Sequence, residues 1–157
     1  MKKENNSSEQ EYKLGLLLEQ AQAAFFSSRE KELAQYKISP MKVAVLQTVQ
    51  KIGREATPAE ISRWLVRRSH TISGLLDRME KDGLISKSKN LPKKNLVRVT
   101  LTEKGKKALR QSQKRETEKK IFALMPQKEK TLLVSMLEKI RNKGLKLAGF
   151  STPPYPK

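Results

Sequence analysis

The sequence predicts a mainly α, α+β fold, and three observations carry that expectation. Residues 57–82 read as two short amphipathic helices joined by a basic turn. Residues 84–101 then switch to the two-residue alternation of a hairpin, and long helical stripes flank this unit on both sides. Two helices at a turn followed by a basic-tipped hairpin make a winged helix-turn-helix.

The elements can be justified in chain order. Residues 1–7 (MKKENNS) are polar and are expected to be disordered. Ser8 with Glu11 reads as a capping box, and Leu14, Leu17, Leu18, Ala21, Phe25 and Leu33 mark one stripe of a long helix over 8–38. A single stripe on so long a helix needs a partner to cover it. Ser39-Pro40 gives a cap and an N-terminal proline, and Val43, Leu46 and Val49 form the buried face of a helix that ends before Gly53. Residues 54–56 are too short to assign. Thr57, Pro58 and Glu60 start the next helix with another capping box, with Ile61, Trp64 and Leu65 as its stripe. Trp64 reads as a packing residue rather than a stacking platform.

After the turn Val66-Arg67-Arg68, the second helix of the pair spans about 69–82, with Ile72, Leu75, Leu76 and Met79 inward and Gly83 as its stop. Its other face carries Ser69, His70, Ser73, Gly74, Asp77, Arg78 and Lys81. Small polar groups there can approach base edges, and arginines at the margin can hold phosphates. The hairpin pairs LISKSK (84–89) with LVRVTL (96–101), placing Val97, Val99 and Leu101 on one face. Lys87, Lys89, Lys93, Lys94 and Asn95 make the hairpin and its tip basic. Thr102 caps a further helix through Glu103-Lys104-Gly105, which Gln111–Lys120, lacking strongly apolar residues, extends as a solvated rod. Its basic residues either lengthen a DNA footprint or keep the helix soluble. Ile121, Phe122, Leu124 and Met125 precede Pro126, and a last helix carries Leu132, Leu133, Met136, Leu137 and Ile140 toward Leu147. The proline-rich end, 149–157, is expected to be a disordered tail.

Composition narrows the chemistry. A net charge of +18 favours polyanions. With 36% hydrophobic and 32% charged residues, the 157-residue chain is poor in apolar material for a compact monomer, which points to burial through a partner. Cysteine is absent and there is one histidine, so disulfides, thiol redox sensing and an ordinary zinc site are not expected. No apolar run reaches membrane-spanning length and no signal peptide follows Lys2-Lys3, so a cytoplasmic protein without membrane contact is expected. No glycine-rich phosphate loop, cysteine nucleophile or serine triad is present, so neither catalysis nor a cofactor is expected.

The motifs SHTISGLLDRMEKDGLI (69–85) and LTEKG (101–105), with SPMKVAVL (39–46), resemble the multiple-antibiotic-resistance regulator (MarR) family of bacterial winged-helix transcription factors. The resemblance runs from about Leu14 to about Leu147. It implies a homodimer held by an N- and C-terminal helical dimerisation domain (8–38 and 106–148), and a DNA-binding domain over 39–105. The recognition helix would enter the major groove of double-stranded DNA and the wing, about 84–101, the minor groove. Carried over residue by residue, Arg67, Arg68, Ser69, His70, Thr71, Ser73, Gly74 and Arg78 are the expected recognition-helix contacts. Of these, His70 reads equally well as a surface bystander. Lys87, Lys89, Lys93, Lys94 and Asn95 are the wing contacts, although Lys93-Lys94-Asn95 stands where the family commonly has Asp-Arg-Arg. Lysine lacks the planar fork suited to a narrow minor groove, so the tip is expected to attract backbone more than to read sequence.

The resemblance also implies release of DNA by a small aromatic or anionic effector, with Phe25 and Tyr36 as candidate pocket residues. A repressor that occludes a near-palindromic operator is the expected function. The alternative is a non-specific architectural or protein-interaction winged helix acting through charge alone.

Overall fold

The computed structural model describes residues 2–89 and 96–153, with side chains from residue 8 onward. Helix α1 (Lys2–Ala34) is followed by α2 (Pro40–Ile52), a 3-10 turn (Gly53–Glu55), α3 (Pro58–Leu65) and α4 (Ser69–Lys81). Strands β1 (Ile85–Ser88) and β2 (Arg98–Leu101) come next, then α5 (Glu103–Ser112), α6 (Glu116–Phe122) and α7 (Gln127–Leu147). The fold is mainly helical with a two-stranded wing, as the sequence predicts.

Side chains set the helix starts. Ser39 Oγ accepts the Lys42 N–H at 3.3 Å, Thr57 Oγ1 that of Glu60 at 3.2 Å, and Thr102 Oγ1 that of Gly105 at 3.0 Å. The Thr57 box is only half formed, because the Glu60 carboxylate pairs with Arg63 at 2.8 Å instead. Packed between these starts is the core, where Leu46, Ile61, Ile72, Leu76, Met79 and Val99 are fully buried. The antiparallel strands pair Ile85 with Leu101 and Lys87 with Val99. The Val99 N–H donates to Ala56 O at 2.8 Å, so the unassigned segment 54–56 closes the sheet edge after its 3-10 turn.

Gly105 is required by packing: a Cβ there would stand 2.0 Å from Leu84 O, which already accepts the Thr102 N–H at 3.2 Å. Gly105→Ala is therefore expected to cost about 1–3 kcal/mol, read from urea unfolding, by forcing the wing root away from α5.

Two expectations are corrected. Helix α1 begins at Lys2, so Ser8 lies inside it and does not cap it, and segment 2–7 is helical where disorder was expected. Nothing in KKENNS breaks a helix, and Lys and Glu propagate one readily. The solvated rod is also not continuous. Helix α5 stops at Ser112, and Arg115 takes the left-handed conformation, φ 49° and ψ 43°, before α6 starts. The cause is tertiary: Glu32 of α1 accepts the N–H groups of Glu116 and Thr117, both at 3.0 Å, capping α6 from another helix.

At the C-terminus α7 closes with Gly149 at φ +70°, and the Phe150 N–H donates to Leu145 O at 2.9 Å. The expected tail beyond residue 153, Met1, and the wing tip with Lys93, Lys94 and Asn95 lie outside the described residues.

Candidate nucleic-acid interface

Helix α4 separates its two faces cleanly. Ile72, Leu75, Leu76 and Met79 are buried, while Ser69, His70, Thr71, Ser73 and Arg78 are exposed and Gly74 is half-exposed. Arg67 and Arg68 are exposed at its start, and the Arg68 side chain makes no cap. The turn that aims α4 is tightly held. Val66 is left-handed, φ 51° and ψ 52°, an unusual conformation for a β-branched residue. Ser62 retains it: its Oγ donates to Arg67 O at 2.5 Å and its carbonyl accepts the Arg67 N–H at 3.0 Å.

Gly74 has no such structural reason. A Cβ at that position would meet nothing closer than the Arg78 guanidinium at 3.9 Å, an ordinary contact. A mid-helix glycine costs roughly 1 kcal/mol relative to alanine, and packing within the chain does not demand it.

The wing lysines divide. Lys87 is half-buried; its Nζ contacts Asp77 Oδ1 and lies 3.3 Å from Glu80 Oε2, and its N–H donates to Glu80 Oε1 at 2.9 Å. The hydrogen bond with Asp77 raises the Lys87 ammonium above its ordinary range, and the same bond lowers the Asp77 carboxyl. Lys87 thus ties the wing to α4. Lys89 stands exposed next to the tip. Sequence reasoning read these lysines as one basic run; the carboxylates at 77 and 80, one turn apart on α4, were the available signal that one of them is paired.

Between α1, α2, the α3–α4 turn and α6 lies a cavity of about 450 Å³. Phe25, Phe26, Met41 and Leu65 give it apolar walls, and Arg29, Arg67, Arg115 and Glu118 polar ones. The buried Arg29 is committed, with its Nη1 2.7 Å from Glu32 Oε2 and 3.3 Å from Glu118 Oε2. The side chains of Arg67 and Arg115 make no ion pair or hydrogen bond among the described residues. Phe25 is held by the Phe122 ring, 6.3 Å away and tilted 42°. Tyr36 lines a different cavity of about 600 Å³, with Lys37, Lys42, Lys104 and Lys107. The structure does not bring Phe25 and Tyr36 together: Phe25 lines the first cavity from within α1, and Tyr36, beyond the end of α1 at Ala34, lines the second.

A second surface stands out. On α1, Leu14, Leu16, Leu17 and Leu18 are 41–61% exposed, and on α7 Leu132, Met136, Leu137 and Ile140 are 43–55% exposed. Gly15 and Gly144 lie within these helices with open space where a Cβ would be. Among the described residues no helix is long and apolar enough to cross a membrane.

A polar helix face set on a buried stripe, with a wing braced against it, defines a winged-helix DNA-binding protein. Residues 38–105 match the family described as Winged helix DNA-binding domain. The crystal structure of the organohalide-sensing transcriptional regulator RdhR-CbdbA1625 bound to 2,4-dichlorophenol is similar over 94% of this chain and 90% of that one, at 32% identity and TM-score 0.83. The fold is also shared with a mutant MarR from E. coli complexed with operator DNA, at 21% identity, TM-score 0.76 and coverage of 81% and 92%. CouR, a transcriptional repressor bound to a DNA duplex, shares it at 24% identity, TM-score 0.74 and coverage of 82% and 92%. No curated protein matches the chain. The chain belongs to the MarR family of winged-helix transcription regulators.

Proposed function

We propose that this DNA-binding regulator is a homodimeric repressor that reads a near-palindromic operator through α4 and is released by a small aromatic anion. The observation that carries the reading is Gly74: a glycine costly to its helix, unexplained by packing, and set on the same face as Ser73, His70 and Arg78. A bare backbone at that point lets α4 approach base edges closely, with Ser69, Thr71 and Ser73 as hydrogen-bonding partners. Arg67, Arg68 and Arg78 then hold phosphates on either side.

The expected result of Gly74→Ala separates function from folding. The variant is expected to unfold at higher urea concentration, gaining up to about 1 kcal/mol, while its affinity for the operator falls about tenfold. Unchanged affinity would remove α4 from the groove.

The dimer reading rests on the uncovered leucines of α1 and α7, whose burial in a second copy would also explain why Gly15 and Gly144 leave room for close helix approach. Two copies related by a twofold axis present their recognition helices to half-sites about one helical turn, roughly 34 Å, apart. The effector reading rests on the cavity beside Arg67. Its apolar walls suit one aromatic ring, and Arg67 and Arg115 suit an anionic substituent. The similar regulator binds 2,4-dichlorophenol, whose phenolate is of this class.

The wing lysines act differently in this reading. Lys89→Ala is expected to reduce the slope of log affinity against log salt by about one, as the loss of one phosphate contact does. Lys87→Ala is expected to lower affinity with the slope nearly unchanged, because Lys87 braces the wing against Asp77 and Glu80. Fluorescence anisotropy across a salt series reads both.

A further inference from the structure

We propose that Arg67 is shared between two anionic partners: its guanidinium grips a DNA phosphate when the cavity is empty and turns to an aromatic anion when the cavity is filled, so that effector occupancy withdraws a DNA contact. The inference rests on the effector reading above and adds the residue at which that effector meets DNA.

Four observations place Arg67 in both roles. Its backbone cannot shift easily, because Ser62 fixes both its N–H and its carbonyl after the left-handed Val66. Its side chain is exposed and makes no ion pair or hydrogen bond among the described residues. It stands two positions before Ser69, the first residue of α4, at the margin of the exposed polar face. It is also a wall of the cavity, which Phe25 and Phe26 of α1 line as well. The moving part is therefore the side chain alone, rotating about a fixed turn.

Charge decides what enters. Arg29 is neutralised by Glu32 and Glu118, so it offers an incoming ligand little. Arg67 and Arg115 are the uncompensated cations of the cavity wall, and an anion drawn between them competes directly with the DNA backbone for Arg67. By linkage, DNA must weaken effector binding by the factor with which effector weakens DNA binding.

Arg68 supplies the control. It is equally exposed and adjacent, but it is not a wall of the cavity. The experiment measures anisotropy of full-length wild type, Arg67→Gln and Arg68→Gln on one duplex from the protein's own upstream region. Each is titrated with and without saturating 2,4-dichlorophenolate or benzoate, and binding of each probe to the protein alone is read by calorimetry.

Both variants are expected to lose DNA affinity to a similar degree. Wild type and Arg68→Gln are expected to lose a further tenfold or so on adding the probe, whereas Arg67→Gln should change less than about twofold. A wild-type response in Arg67→Gln, with the probe still bound, would overturn the shared role while leaving the effector reading intact. If neither probe binds the wild type in the absence of DNA, the effector reading itself fails and the shared role falls with it.

Discussion

Glutamate in place of both Leu17 and Leu137 is expected to convert the protein to a monomer and to lower its operator affinity on the order of a thousandfold. The two side chains are 50% and 43% exposed in the single chain, and Leu14, Leu16 and Leu18 of α1 and Leu132, Met136 and Ile140 of α7 are exposed as well. Burying each leucine against a second copy contributes about 1–2 kcal/mol, and a carboxylate at the same place adds a desolvation cost of several more. A monomer holds one recognition helix and one half-site, so the affinity gained from joining two is lost. Sedimentation velocity reads the mass and anisotropy the affinity. A variant that stays dimeric would move the subunit interface elsewhere.

Glu32→Ala is expected to destabilise the fold by on the order of 3 kcal/mol at neutral pH. Burial is the largest single influence on this carboxyl and opposes its ionisation. The hydrogen bonds from Thr117, Arg29 and the Glu116 N–H together outweigh burial, and the pKa falls from 4.5 to about 2. A carboxyl lowered on folding stabilises the native state above its unfolded value and loses that contribution as pH falls through the folded one. The stability of the wild type should therefore drop between about pH 4.5 and pH 2, and the variant should lack this step. Urea unfolding across that range tests it. The variant also leaves α6 without its cap and Arg29 with Glu118 alone, so the α5–α6 joint beside the cavity should loosen first.

The winged-helix half of the fold was legible because its signals are local. Thr57, Ser39 and Thr102 cap within three residues, and the stripe Ile72-Leu75-Leu76-Met79 repeats at helical spacing. The break between α5 and α6 was not legible, because residues 111–120 contain neither glycine nor proline. What stops the helix is a carboxylate 84 residues away. The same holds at the cavity. Phe25 was named from the family resemblance, but Arg29, Met41, Leu65 and Arg115 line the same cavity from separate elements, and no spacing rule brings them together. Tyr36, named with Phe25 from the family resemblance, lines a different cavity, beside Lys42, Lys104 and Lys107. Arg67 was read only as a phosphate ligand, since its position on the cavity wall depends on how α1 crosses the α3–α4 turn.

Sequence-specific DNA binding is the central claim, and its most direct test compares two duplexes of equal length, one from the protein's own upstream region and one scrambled, by fluorescence anisotropy across a salt series. The account predicts that the native duplex binds on the order of a thousandfold tighter at physiological salt. Equal affinity for both, collapsing together as salt rises, would mean that the +18 charge alone drives binding, and would contradict it.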